Sequence, residues 1–293
     1  LWAVYRFDVG LVPDLALPFH IKAPFYPHRL WDTFMVIEEQ PKPAYLLGEI
    51  SNRGWWYYFP VALGVKTPLP TLILATIGGW LAVRRAGLRR SSVVWVPLVL
   101  FLGMAMTGRI TIGYRHVLPA LPFLLMLAGY GARGWETAVS RQRMALLGLL
   151  VGWAAFRTIA LFPHQEAYFN ELAGGPPNGD SVLVDSNIDW GQDLILLREK
   201  MAELGIERVN LGYFGTAPPE LYDVAYWPLP GFIRHTAGAE IDAYNPYTPP
   251  PGWYAISATS LKLGLLLQNQ DMYAYFQQQQ PVTRVGYSIY LFE

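Results

Sequence analysis

The chain has 293 residues, of which 53% are hydrophobic and only 15% are charged, and its mean hydropathy is +0.21. Soluble domains carry about 25% charged residues, so this shortfall indicates that lipid is part of the solvent. Its 22 cations balance 22 acids and it has no cysteine, which excludes a strongly basic nucleic-acid binder, a disulfide scaffold and a thiolate metal site.

Residues 1–54 are rich in proline and aromatic side chains. We interpret them as an extracytoplasmic loop region with short helices that packs on the membrane surface. The chain starts with Leu1 rather than Met, so we expect an amino-terminal part of the natural protein to precede it.

Four nearly uncharged runs follow, at residues 67–83, 91–108, 117–132 and 144–163. A bilayer core about 30 Å thick needs roughly 20 helical residues. With their flanks, the runs predict a transmembrane region over 55–163, with helices at about 60–83, 91–108, 112–132 and 144–163. Arginines concentrate in the turns 84–90 and 133–143, which the positive-inside rule places in the cytoplasm.

Residues 164–293 are predicted to form an extracytoplasmic domain. An apolar run at 181–185 predicts a strand, a 3.6-residue period at 189–204 predicts a helix, and 208–214 predicts a second strand, together a β-α-β unit. Strands at 253–258 and 284–292 and a helix at 269–278 complete the pattern. The predicted fold class is a polytopic α-helical membrane protein of about four transmembrane helices with a carboxyl-terminal extracytoplasmic α/β domain.

Four cations lie on the predicted outer side, where topology gives them no advantage: Lys66, Arg109, Arg115 and His116. Lys66 would lie inside the hydrocarbon, at a cost of about 2.5–3.5 kcal/mol on insertion scales. Arginine forks and lysine charges suit phosphate oxygens, so we predict that these residues converge on a lipid-phosphate site. Snorkelling of Lys66 and pairing with ordinary headgroups are the alternatives. Arg157, inside the fourth run, is a weaker member.

The acidic segment DSNIDWGQD at 185–193 repeats a carboxylate every four residues, at Asp185, Asp189 and Asp193. Asp189 is predicted to cap the following helix. The alternative is that these acids, with Trp190, bind a sugar or an acceptor. The spacing matches no calcium loop and the five histidines are dispersed, so we expect no metal site and no cofactor. Glu49 is a weak candidate for a catalytic acid near the membrane.

Five segments together carry a family resemblance: YLLGEISNRGWWYYFPVALGVKTPLP at 45–70, IGYRHVLPALPF at 112–123, AYFNELAGGPPNG at 167–179, DSNIDWGQDL at 185–194 and GWYAISAT at 252–259. In this order the chain resembles the carboxyl-terminal half of bacterial membrane glycosyltransferases of the GT-C architecture, similar to protein O-mannosyltransferases. The matches span roughly residues 41–260, and outside them the chain is similar only in hydropathy.

The resemblance implies an enzyme of the cell (inner) membrane that transfers a sugar from a polyprenyl-phosphate carrier to an acceptor at the outer face. It implies a lipid-phosphate role for Lys66, Arg115 and His116. The family's catalytic acid belongs to an early outer loop that has no counterpart here, so no catalytic residue is carried over. Expected partners are membrane lipid, the polyprenyl-phosphate sugar, other membrane subunits and the missing amino-terminal half, but no nucleic acid. The alternatives are a non-catalytic accessory subunit and a lipid- or sugar-binding membrane protein.

Overall fold

The computed structural model describes residues 9–11, 22–24, 43–108, 110–133, 141–229, 244–264, 266–267 and 270–293. The chain divides into two compact units, Leu1–Pro43 and Ala44–Glu293. In the first unit, strand β1 (Val9–Leu11) pairs antiparallel with β2 (Lys22–Pro24). Most of the predicted loop region 1–54 lies outside the described residues.

The second unit begins with a short hairpin of β3 (Ala44–Leu46) and β4 (Glu49–Ser51). The two turn residues, Leu47 and Gly48, both have positive φ, at 52° and 92°, as a two-residue hairpin turn that follows the twist of its strands requires. The Leu47 amide donates to the carbonyl of Val182 at 2.9 Å. The hairpin is therefore attached to the same body as the later α/β domain.

Helix α1 (Tyr58–Lys66) and helix α2 (Leu69–Thr107) follow. They are separated at Thr67, which has ψ 136°, because a residue before proline is pushed out of the helical region. Helix α2 is interrupted at Gly87, where φ is 76°. A side chain at Gly79 would meet the Trp95 ring at 2.8 Å, although 16 residues of straight helix would span roughly 24 Å. Residues 69–86 and 88–107 therefore form an antiparallel helical hairpin.

A 3₁₀ helix (Tyr114–Ala120) leads into α3 (Leu121–Arg133), and α4 (Arg141–Ala160) follows. The predicted helix at 112–132 is thus α-helical only in its second part. Gly78 of α2 and Gly131 of α3 let the two backbones touch, since a Cβ on Gly78 would overlap the carbonyl of Leu127. Among the described residues, two helices are long and apolar enough to cross a membrane by length and composition, Leu69–Thr107 and Arg141–Ala160.

The carboxyl-terminal domain contains three helices and seven strands within its described residues: α5 (Leu194–Leu204), β5 (Val209–Gly212), β6 (Tyr226–Pro228), β7 (Tyr254–Ser257), α6 (Ala258–Leu263), β8 (Leu266–Leu267), β9 (Gln270–Asp271), α7 (Ala274–Gln277), β10 (Thr283–Val285) and β11 (Ile289–Phe292). Five strands form one mixed sheet in the order β10-β11-β7-β5-β6. Its β5–β7 and β5–β6 pairs are parallel and the other two are antiparallel. The prediction of an α/β domain is confirmed.

Three local predictions within this domain are wrong. Residues 181–185 do not form a strand, because 3₁₀ turns occupy Pro176–Ser181 and Asp185–Asn187; β5 instead finds its parallel partners in β6 and β7. The helix predicted from residue 189 begins at Leu194, since Gly191 at φ 86° interrupts helical geometry. The predicted helix at 269–278 is confined to α7, with β9 before it.

The 3.6-residue period that predicted this helix is confirmed in α5, whose periodic apolar residues form one buried face. Leu194, Leu197 and Met201 of α5 are all buried, and they pack against the sheet residues Val209 and Leu211. This core fixes the start of α5, and with it the acidic segment 185–193, at one edge of the sheet.

Candidate functional site

The apolar helices and the α/β domain meet at the turn Asp185–Asn187, which we call the junction turn. Asn187 is fully buried. Its Oδ1 accepts from the Tyr114 amide at 2.9 Å, and its Nδ2 donates to the Tyr58 hydroxyl at 2.9 Å and to the Val184 carbonyl at 2.8 Å. The junction turn is therefore hydrogen-bonded to α1 and to the 3₁₀ helix at the same time.

Lys66, at the end of α1, is directed at the domain backbone. Its Nζ donates to the carbonyl of Glu166 at 2.7 Å and to the carbonyl of Asn187 at 2.5 Å. The same atom lies 4.5 Å from the centre of the Phe169 ring. Two of its three N–H groups thus hold the junction together.

Arg115 and His116 are exposed at the start of the 3₁₀ helix. The guanidinium carbon of Arg115 lies 4.9 Å from the centre of the Trp190 ring, and Arg115 Nε lies 3.5 Å from His116 Nε2. His116 also packs edge-on against Phe59, with ring centres 6.3 Å apart. Arg109 lies outside the described residues. The structure therefore brings together a cation and an aromatic ring from two separate predicted motifs.

Of the four predicted cations, Lys66 and Arg115 both lie around the junction turn, but their charged groups have different partners. The ammonium of Lys66 contacts carbonyls inside the junction, whereas the guanidinium of Arg115 lies on the exposed Trp190 ring. Arg157 near the end of α4 forms an ion pair with Glu171 at 3.2 Å. The cation open to an anionic ligand in this part of the described chain is Arg115, with His116 beside it.

Asp189 is fully buried. Its Oδ1 accepts from the Gly191 amide at 3.2 Å, while no described residue gives its Oδ2 a hydrogen bond of normal geometry. Burial raises the pKa of Asp189 well above its usual range, and the charges of Asp193 and Asp185 add to the rise; the Gly191 amide and the nearby Ser257 hydroxyl act in the opposite direction. Asp189 therefore closes a local turn, and the prediction that it caps the following helix is wrong.

Asp193 has a different role. Its Oδ2 accepts from the Tyr287 amide, the Ser288 amide and the Ser288 hydroxyl at 3.0, 3.0 and 2.8 Å. Its Oδ1 lies 3.5 Å from Nδ1 of His164. Because the carboxylate is buried and held by three donors, it fastens the β10–β11 turn to the start of α5 and has little capacity left for a sugar.

Tyr213 lies at the same end of the parallel strands, although no sequence pattern singled it out. It directly follows β5, and its buried hydroxyl lies between Gly191 and Gly215, where a Cβ at either position would overlap it. Burial raises the pKa of Tyr213, and the charge of Asp189 contributes. The pair lies at the carboxyl ends of the parallel strands β5 and β7, the edge at which open α/β sheets bind ligands.

Two further candidates are placed as follows. Asp185 adopts a positive φ of 62°, and its Oδ1 accepts from the Ser186 amide, so it shapes the junction turn. Glu49 is exposed on β4, and no contact found in the described residues joins it to Arg115 or Trp190.

The surface available to a ligand thus consists of the Arg115 guanidinium, the His116 imidazole and the Trp190 ring, which is 39% exposed. A guanidinium can bind a phosphate through two parallel hydrogen bonds, and an indole face can stack on a sugar ring. No group of three His, Asp or Glu side chains within the described ranges is arranged to hold a metal ion. The chain matches no protein-family model, no curated protein and no solved structure.

Proposed function

We propose that this chain is the carboxyl-terminal part of a membrane glycosyltransferase that takes a sugar from a polyprenyl-phosphate carrier at the outer membrane face. The observation that carries the proposal is the contact between Arg115 and Trp190. A guanidinium, which is able to bind phosphate, and an indole ring, which is able to stack on a sugar, lie side by side near the junction of the apolar helices and the α/β domain, and this contact supports the proposal.

The surface of the helices supports a membrane location. Val93 is 71% exposed, Val99 62% and Ile159 73%, whereas the core helix of a soluble protein would cover such side chains. The four helical stretches 69–86, 88–107, 121–133 and 141–160 are the proposed spans, of which α3 is short. With the arginines of 84–90 and 133–143 in the cytoplasm, the junction turn and the α/β domain lie outside.

In this proposal the residues of the site divide into two roles. Arg115 binds the carrier phosphate and stabilises the charge that develops on the leaving phosphate, with His116 as a further hydrogen-bonding group. Trp190 stacks on the transferred sugar. Lys66, Asp189 and Asp193 hold the surrounding backbone, since their polar atoms are bonded within the protein or buried.

One observation favours the alternative of a non-catalytic sugar- or lipid-binding subunit. The carboxylates nearest Trp190 in sequence, Asp189 and Asp193, are both buried, so neither is presented as a general base to an acceptor. If the transfer reaction occurs, its base comes from another part of the natural protein or from another subunit.

The test is photocrosslinking of a diazirine-labelled polyprenyl-phosphate hexose to the protein in its native membrane. Replacing Arg115 with Gln should weaken carrier binding by about 10- to 150-fold, because a charge-assisted hydrogen bond contributes about 1.5–3 kcal/mol. Arg53→Gln, at another exposed arginine, is the matched control. Equal crosslinking of the Arg115→Gln variant and the unaltered protein would refute the proposal, and binding without sugar transfer by the full protein would favour the non-catalytic alternative.

A further inference from the structure

A cavity adjoins the amino-terminal end of β7, away from the Arg115–Trp190 surface. It has a volume of about 420 Å³ and is lined by the proline run 249–251 and by Trp253, Tyr254, Tyr275, Phe276 and Glu293. Tyr254 is the first residue of β7 and pairs with Phe292, the last residue of β11. Strand β7 is about 10 Å long at 3.3 Å per residue, and Asp189, next to Trp190, lies near Ser257 at its other end, so this cavity is separate from the candidate site. We call it the aromatic cleft.

The aromatic cleft is built in advance of any ligand. The ring of Phe276 packs against those of Tyr254 and Phe292, with centres 4.7 and 5.1 Å apart. The Tyr254 hydroxyl donates to the Pro250 carbonyl at 2.6 Å, and the Tyr275 amide donates to the Pro246 carbonyl at 3.3 Å. These bonds hold the proline segment against the aromatic rings, so ligand binding would cost little conformational entropy in this part of the lining.

The chemistry of the lining restricts what it can bind. Among the described residues, Glu293 is the charged residue of the lining and no cation contributes to it, so a phosphate or a nucleic acid would meet repulsion there. Tyr275 is 39% exposed and, with the partly exposed Trp253 and the proline rings, offers flat apolar faces. A carboxylate, a phenol and an indole N–H beside such faces provide hydrogen bonds around a stacking surface. Neutral sugars combine hydroxyl groups with an apolar C–H face and match this lining.

We propose that the aromatic cleft binds a neutral saccharide, with Tyr275 and Trp253 stacking on the sugar rings and Glu293 accepting hydrogen bonds from hydroxyl groups. The proposal concerns binding at this edge of the sheet alone. It stands whether or not the Arg115–Trp190 surface binds a carrier lipid.

The test uses the full chain in lipid nanodiscs, because maltoside detergents would present sugar to the cleft. Mannotriose and maltotriose serve as probes in saturation-transfer NMR, and affinity is measured by calorimetry. At least one trisaccharide should bind saturably. Tyr275→Ala should weaken that binding by at least about fivefold, since aromatic contacts are a major part of such interfaces, and Glu293→Gln should weaken it by a smaller factor.

Two variants serve as matched controls. Tyr247→Ala removes an exposed tyrosine that precedes the proline run and lies outside the lining. Arg115→Gln removes the proposed carrier site. Neither change should alter the affinity for the trisaccharide. Absence of saturable binding by both probes would overturn the proposal. So would an equal loss in Tyr247→Ala and Tyr275→Ala, or displacement of the sugar by a proline-rich peptide that binds more tightly. Loss of binding in Arg115→Gln alone would place the sugar at the other site and would also overturn it.

Discussion

Replacing Asn187 with Ala should loosen the connection between the apolar helices and the α/β domain. The side chain makes three hydrogen bonds of 2.8–2.9 Å, to Tyr58, Tyr114 and Val184. Each contributes about 0.5–1.5 kcal/mol, and the partly buried Tyr114 amide, left without its partner, costs about 1–3 kcal/mol more. We therefore expect the free energy of unfolding to fall by about 2.5–7.5 kcal/mol.

Guanidinium unfolding in detergent, followed by tryptophan fluorescence, measures this change, and hydrogen exchange at the Tyr114 amide localises it. Asn178→Ala at an exposed asparagine is the control and should change stability by less than about 0.5 kcal/mol. Tyr58→Phe combined with Asn187→Ala should cost less than the sum of the two single changes, because both remove the same bond. A loss below 1 kcal/mol in Asn187→Ala, with the Tyr114 amide still protected, would refute this account of the junction.

Three other predictions concern pH, turn geometry and topology. Because the native pKa of Asp189 is raised, the stability that its protonated form contributes is present at pH 4 and is lost as the pH rises towards the native pKa. Asp189→Asn should thus be more stable than the unaltered protein at pH 8 but not at pH 4. Unfolding curves showing the opposite trend would contradict this. Leu47→Asn should stabilise the β3–β4 hairpin by about 0.5–1 kcal/mol, since asparagine tolerates positive φ better than leucine, and a lower melting temperature would count against the assigned turn. An impermeant thiol reagent added to intact cells should label a cysteine introduced at Ser181 but not one at Ser140; the reverse pattern would invert the proposed orientation.

The larger features of the fold follow from hydropathy and periodicity, whereas the local errors have identifiable causes. The apolar runs locate α2 and α4, and the apolar face of α5 is read directly from its leucines. The run 181–185 is as apolar as a strand, but it connects two 3₁₀ turns, and the Val184 carbonyl accepts a hydrogen bond from Asn187 at the junction. Sequence periodicity cannot show such a contact, since the partners Tyr58 and Tyr114 lie more than 70 residues away.

The candidate site was predictable in composition but not in arrangement. Arg115 and Trp190 each stood out as a residue type with a binding role, yet their contact depends on how the junction turn packs. Lys66 was selected because a lysine at depth is costly, and the structure satisfies it with two carbonyls instead of an external anion. Tyr213 carried no signal, because an isolated tyrosine after a strand is ordinary in sequence and only its burial beside Asp189 distinguishes it.

The backbone contact between Gly78 and Gly131 has a consequence for how the protein would adapt to its lipid surroundings. With no side chain between them, the first half of α2 and α3 pack backbone against backbone, and a Cβ at either glycine would overlap a carbonyl of the facing helix, so sliding or rotation of one helix past the other would disrupt this close packing. α3 has 13 residues, about 20 Å of helix, so on the proposed membrane placement it is shorter than the hydrocarbon layer. A change in bilayer thickness would have to be met by tilting of both helices as one body or by local thinning of the lipid. Hydrophobic mismatch would then act on the angle between the helix pair and the membrane and leave the packing within the pair unchanged.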